Sequence, residues 1–354
     1  MSDGKTDVIA DIKAQDKAQN ETRVPFAAAD WPQKIRYMNE YDNFARLYGI
    51  RLVDYANGYA RLEMELQPMH LNSQGSIHGG WSSALLVIGA GKAARSCGRD
   101  VRITELTMNY YRGAQDGVLQ IIAREKYRSS AVACYEAEVR RGDGRLIVDG
   151  TVSFEILDDE LALHSLPLPD AERIPAHTSP IWPEERVGLH DEAAGLRPCF
   201  ADADWQTKTE YMNENENFYY AENMEVTACG PGYCRCRLPL LARHRDAVGL
   251  VEPAWIVALM DPLIGKPSLM NGEFSVTAQM TVNFFDLDAE GGLYGEGREK
   301  SRGDIFGVCG GDIVDATGKL LASGACTMYL RHTEINFRRE HPLNYPAGPG
   351  AGRD

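Results

Sequence analysis

From residue 79 to residue 96 the chain is dense in Ala, Leu, Val and Ile with no alternation of polar and apolar positions, which predicts a helix buried on most of its sides. Gly98 closes it. Beyond that point strands are expected over 101–112, 118–127, 131–141 and 145–157, the last two joined by the turn Gly142-Asp143-Gly144. Upstream, 32–47 reads as an N-terminal helix and 51–66 as a hairpin, because Asn57-Gly58 is a strong two-residue turn signal. A loop over 67–77 leads into the apolar helix. The expected order is helix, two strands, loop, long helix and four strands.

That order then returns. The run Trp31-Pro-Gln-Lys-Ile-Arg-Tyr-Met-Asn-Glu-Tyr-Asp-Asn-Phe44 is matched 174 positions later by Trp205-Gln-Thr-Lys-Thr-Glu-Tyr-Met-Asn-Glu-Asn-Glu-Asn-Phe218. The offset persists through His70 and His244, Gly75 and Gly249, Trp81 and Trp255, and Arg124-Glu125-Lys126 and Arg298-Glu299-Lys300. A period this long is a whole domain rather than a solenoid unit. Two domains are therefore expected, 31–157 and 205–331, packed as an internal pseudo-dimer. A flexible segment over 1–30 precedes them, a linker over 158–204 joins them, and a Pro- and Gly-rich tail over 332–354 follows. The linker holds Pro167, Pro169, Pro175, Pro180, Pro183 and Pro198, which forbids a long regular element and lets it cross from one domain to the other.

Composition changes this picture mainly by exclusion. A length of 354 residues fits two domains, and 44% hydrophobic with 25% charged residues is enough for a core in each. The formal net charge of −14 argues against nucleic acid or an anionic membrane as partner. No secretory signal is read in the first twenty residues and no run approaches a membrane span, so a cytoplasmic location is expected. Cys229, Cys234 and Cys236 lack paired CxxC spacing and read as free thiols rather than a metal site. Gly89-Ala-Gly91-Lys92 lacks the spacing of a phosphate loop, and no spaced His and Cys cluster suggests zinc.

The string His70-Leu-Asn72-Ser-Gln-Gly75-Ser-Ile-His78-Gly79-Gly80 resembles the loop of PaaI-type acyl-CoA thioesterases, with Thr104 to Ala114 similar to the strand that follows it there. The resemblance covers about 37–156 well and 211–330 more weakly. It implies an α+β fold of two tandem hotdog domains, each an antiparallel sheet wrapped on a central helix. It implies an acyl-CoA substrate, with coenzyme A as part of that substrate and no separate cofactor or metal, and leaves room for a homo-oligomer of pseudo-dimers. In the family, the Gly after His offers its amide to the thioester oxygen, the upstream Asn positions substrate or water, and a carboxylate nine residues after the His, from the partner subunit, acts as base or nucleophile.

The first copy carries Asn72, His78, Gly79 and Gly80, but Val87 stands nine positions after His78. The second copy has Glu252 and Pro253 where His78 and Gly79 would recur, and Asp261 nine positions on. An aliphatic side chain takes no proton, and Pro has no N–H. One complete site is thus expected between the loop of the first copy and Asp261 of the second, while the other, between Val87 and Pro253, lacks both functions. Gly80, Trp81, Tyr110 and Tyr111 are candidates for lining the acyl pocket, although core packing is an equal claim on the aromatics. Arg95, Arg99, Arg124 and Lys126 suit either a CoA phosphate or a solvated face. Asp261-Pro262 also fits a helix end, and His78 and Asn72 fit a core histidine and a turn former. Rival functions are a hydratase or dehydratase acting on an acyl thioester, and a non-catalytic acyl-CoA-binding protein.

Overall fold

The computed structural model describes residues 24–72, 75–163, 200, 202–214, 222–246 and 248–334. It begins with a two-residue strand, β1 (Val24–Pro25), and then helix α1 (Trp31–Glu40), which opens on a reciprocal cap. Asp30 accepts the Gln33 N–H at 2.7 Å and the Gln33 side chain accepts the Asp30 N–H at 3.0 Å. Asp42 then accepts the Ala45 N–H and starts a second helix, α2 (Asn43–Leu47). The single helix expected over 32–47 is therefore two, because a side chain able to cap a helix sits inside that stretch.

The hairpin β2 (Arg51–Ala56) and β3 (Tyr59–Glu65) turns at Gly58, with φ of 68°. Helix α3 (Gly79–Arg95) follows, buried at every residue from Gly80 to Ala94. Strands β4 (Arg99–Tyr110), β5 (Val118–Arg128), β6 (Val132–Arg141) and β7 (Leu146–Glu160) complete the first copy, and β8 (Ala162–Leu163) closes it by pairing with β1. Phe26, just after β1, is fully buried. Residues 24–30 and 158–163 thus belong to the fold, although the sequence places them in a flexible segment and a linker; a buried Phe and two strand hydrogen-bond partners hold them. The rest of the expected linker up to 199, residues 1–23 and the tail from 335 lie outside the described residues.

The second copy repeats the plan with α4 (Trp205–Glu214), β9 (Glu225–Gly230), β10 (Tyr233–Pro239), α5 (Pro253–Leu269), β11 (Glu273–Phe284), β12 (Gly292–Arg302), β13 (Phe306–Val314) and β14 (Leu320–Glu334). Twelve strands form one antiparallel sheet in the order β2-β3-β5-β6-β7-β4-β11-β14-β13-β12-β10-β9. Read through the 174-residue offset, the order is a palindrome. Its centre is the β4–β11 pairing, where Thr107 faces Thr281 and their hydroxyls lie 3.1 Å apart, while Glu105 faces Asn283 and Asn109 faces Gln279. Each pair maps onto another pair when the copies are exchanged, so a pseudo-twofold axis passes between Thr107 and Thr281.

Under the sheet, α3 and α5 lie side by side. Gly80 allows their approach: a Cβ there would stand 2.7 Å from the Ala258 carbonyl oxygen. That carbonyl cannot bond Pro262, four residues on, since Pro has no N–H. Phe44 wedges between the equivalent indoles, its ring 5.0 Å from Trp81 and 4.7 Å from Trp255. Among the described residues no helix is long and apolar enough to cross a membrane.

Candidate active site

The loop before α3 is built by backbone pairing. Leu71 bridges Ile77, the Asn72 N–H donates to the Ser76 carbonyl at 2.7 Å, and the His78 N–H donates to the His70 carbonyl at 2.9 Å. Gly75 supplies the left-handed turn with φ of 70°. Asn72 itself holds the turn, its Oδ1 accepting the Ser76 N–H at 3.2 Å. His78 is the N-cap of α3, and its Nδ1 accepts the Gly80 N–H at 3.0 Å. The N–H of Gly79, first residue of the helix, has no carbonyl within the helix to bond, so it remains a donor at the positive end of the helix dipole.

Asp261 comes to the same point from the other copy. It is the ninth residue of α5, in mid-helix rather than at the helix end that Asp-Pro also suggests. Its Oδ2 is 3.2 Å from His78 Nδ1, and both side chains are buried. A Cβ on Gly79 would lie 2.5 Å from Asp261 Oδ1, so the carboxylate rests directly against the Gly79 Cα. Thr277 on β11 reaches Asp261 Oδ1 at 3.5 Å.

Two hydroxyls hold the first turn of α3 from behind. Ser83 Oγ donates to the Gly79 carbonyl at 2.9 Å, and the Tyr110 hydroxyl lies 2.8 Å from Ser83 Oγ and 3.3 Å from the Gly79 carbonyl oxygen. Burial first, and the nearby charge of Asp261 next, push the Tyr110 phenol well above its usual range, so it stays protonated. Ser83 and Thr277 were missed by sequence reasoning. A signal existed for the first: the counterparts of Ser83 and Tyr110 in the second copy are Val257 and Phe284, so both hydroxyls occur only behind the loop that has a Gly79 N–H.

Other candidates lie elsewhere. Trp81 is fully buried, edge-on to Tyr48 at 4.3 Å and to His70 at 4.5 Å, and packs the interface between the copies. Tyr111 is half exposed, and its hydroxyl reaches Asp149 on the outer face. Tyr110 ends β4 with its hydroxyl at the Gly79 carbonyl, whereas Tyr111, one residue past the strand, reaches Asp149, so the two do not meet at one site. Gly80 serves helix approach. Arg95, Arg99, Arg124 and Lys126 each face a carboxylate, Asp100, Asp158, Glu138 and Glu136 respectively. Cys229, Cys234 and Cys236 are buried free thiols.

At the symmetry-related position the chemistry differs. Glu252 turns its carboxylate onto the start of α2, accepting the Asn43 N–H at 2.6 Å and the Phe44 N–H at 2.9 Å. Burial first, then the neighbouring Asp42 charge, raise its pKa well above the usual carboxylate range, against the pull of the two backbone donors. Pro253 begins α5, where its missing N–H costs the helix nothing.

Residues 74–148 match the model of the family described as Thioesterase superfamily. A protein of Archaeoglobus fulgidus named "Putative esterase" is 29% identical over 119 residues, which cover 33% of this chain and 77% of that protein. Among solved structures, the tesB protein of Mycobacterium avium subs paratuberculosis superposes with a TM-score of 0.51 at 12% identity, covering 82% of this chain and 98% of the other. A hot dog fold protein of unknown function from Alicyclobacillus acidocaldarius gives 0.51 at 17% identity over 80% and 96%. At these identities the two structures speak for the fold alone, and that fold spans both copies.

Proposed function

Because the chain carries a hotdog domain of the thioesterase superfamily, we propose that it hydrolyses an acyl-CoA thioester to the free acid and CoA at one composite site between its two copies. The observation that carries the reading is the meeting of the Asp261 carboxylate with His78 and Gly79, contributed by opposite copies. In this scheme the thioester carbonyl oxygen sits on the Gly79 N–H, where helix dipole and amide together stabilise the developing oxyanion. Ser83 and Tyr110 fix the Gly79 carbonyl and so the orientation of the helix turn that carries that amide. Asp261 either takes a proton from the attacking water or attacks the carbonyl carbon itself and is released by water. In both cases the carbon–sulfur bond breaks and the CoA thiolate leaves, to be protonated.

His78 Nδ1 and Asp261 Oδ2 are both acceptors in their unprotonated forms, and Nδ1 already receives the Gly80 N–H. His78 is therefore assigned to fixing the first turn of α3 beside the carboxylate, with Asn72 holding the loop. Acyl-CoA as the partner and the cytoplasm as the location belong to the same proposal. The test is a panel of acyl-CoAs with free thiol as the readout. Release of CoA by the native chain, and its loss in Asp261→Asn, supports the scheme; addition of water across an enoyl-CoA without thiol release refutes it. Single turnover in ¹⁸O-water then tests direct attack, since water opening the resulting mixed anhydride at the aspartyl carbon leaves label in the Asp261 side chain, which base catalysis never does.

A further inference from the structure

The symmetry-related position, which lacks both Asp261 and Gly79 equivalents, is an open cavity of about 300 Å³. That is the lower end of the range for small-molecule sites. We infer that this second site is a non-hydrolytic binding pocket for an uncharged molecule with an apolar chain.

At four positions the floor is the first site made apolar, and at the fifth, Glu252 in place of His78, both carboxyl oxygens are spent on the Asn43 and Phe44 N–H groups. Val87 replaces Asp261, Ile103 replaces Thr277, Leu250 replaces Ser76 and Pro253 replaces Gly79, and all four line the cavity. The counterparts of Asp261, Thr277 and Gly79 are gone as polar groups, while a cavity walled by α3, β4 and the loop before α5 remains. Apolar walls that face water favour a ligand that removes them from it. A chain of CH₂ groups does so without asking for a hydrogen bond.

The mouth decides the head group. Its cations are already engaged: Lys92 pairs with Asp42, Arg95 with Asp100 at 2.7 Å, and Arg102 with Glu155 at 3.3 Å. Asp159 and Asp246 add negative charge at the same rim. A carboxylate or a CoA phosphate entering here meets acidic groups and, among the described lining residues, only cations already paired with carboxylates, so the occupant is neutral at its polar end. The site thereby differs from the proposed catalytic one in both chemistry and ligand.

The test uses the full-length chain and two probes with the same chain length, 1-octanol and octanoate, followed by calorimetry. Octanol is expected to bind at this site at least tenfold more tightly than octanoate. Val87→Phe fills the floor and should remove one equivalent of octanol binding per chain, whereas Asp261→Asn should leave that equivalent in place. Leu250→Phe is the second filling variant should Val87→Phe lose its native circular dichroism. Equal affinity for octanoate, no octanol binding to the native chain, or unchanged stoichiometry in a folded filling variant each overturns the inference. Octanol binding needs no hydrolysis, so failure here is separate from failure of the thioesterase reading, which the acyl-CoA assay decides.

Discussion

Exchange of one carboxylate oxygen for an amide nitrogen at Asp261 removes the proposed base or nucleophile while keeping the shape, so Asp261→Asn is expected to lower acyl-CoA turnover at least about a hundredfold in a protein with native circular dichroism. Glu252→Gln is the contrast. Glu252 accepts two N–H groups at the start of α2 with its two oxygens, and Gln keeps only one acceptor, so thermal stability should fall while turnover changes little. Tyr110→Phe deletes a hydroxyl behind the Gly79 amide, the proposed oxyanion donor, and nothing else, and Phe284 already fills the equivalent place in the second copy. Its expected signature is a fall in kcat of roughly tenfold with KM near its native value, the pattern of an interaction made only in the transition state.

His70 gives a pH test at the same scale. Burial holds its pKa near 3 against an ordinary 6.5, so as the pH falls the unfolded chain takes up a proton before the folded one does. Stability from this residue is therefore complete above about 6.5 and declines toward about 3. Urea midpoints of native and His70→Gln chains should converge at low pH relative to neutral pH; parallel curves would show that His70 does not titrate this way. The sequence made His78, Gly79 and Asp261 legible because their chemistry is tied to fixed spacing. It hid Trp81 and Tyr111, whose candidacy depended on which way a side chain faces, and the pleat and the twofold interface decide that.

Helices α3 and α5 meet where a glycine faces a carbonyl. Gly80→Ala sets a Cβ about where the Ala258 oxygen must be, 2.7 Å away, and backbone cannot yield as a side-chain tip does. The expected cost is about 1–3 kcal/mol in denaturant unfolding, with turnover reduced as well, because the same separation moves Asp261 from Gly79. The long elements were readable from pattern: the central helix ends at Arg95 against an expected 96, and the third strand of the group runs 132–141 against 131–141. Two boundaries were not. Asp42 breaks a helix whose hydrophobic pattern runs on through it, and β1 with β8 are two residues each, too short for any periodicity to register.

At the scale of the whole molecule, the twelve-stranded sheet has a middle joint that belongs to both copies. A fragment ending at residue 163 bares the β4 edge that pairs with β11 and the α3 face that packs on α5, and it has no Asp261. Such a fragment should aggregate or self-associate and show no hydrolysis, and mixing with the complementary fragment should restore some activity at high concentration. Full activity from the first fragment alone would refute the composite site. The palindromic strand order has a further consequence. In an assembly of two identical chains every substitution is made twice, at both symmetry mates, and neither can specialise alone. Here the mates are different codons of one gene: position 87 and position 261 are free to become Val and Asp, and position 79 and position 253 Gly and Pro, each without altering its twin. Covalent continuity is what permits a two-site architecture to divide its labour.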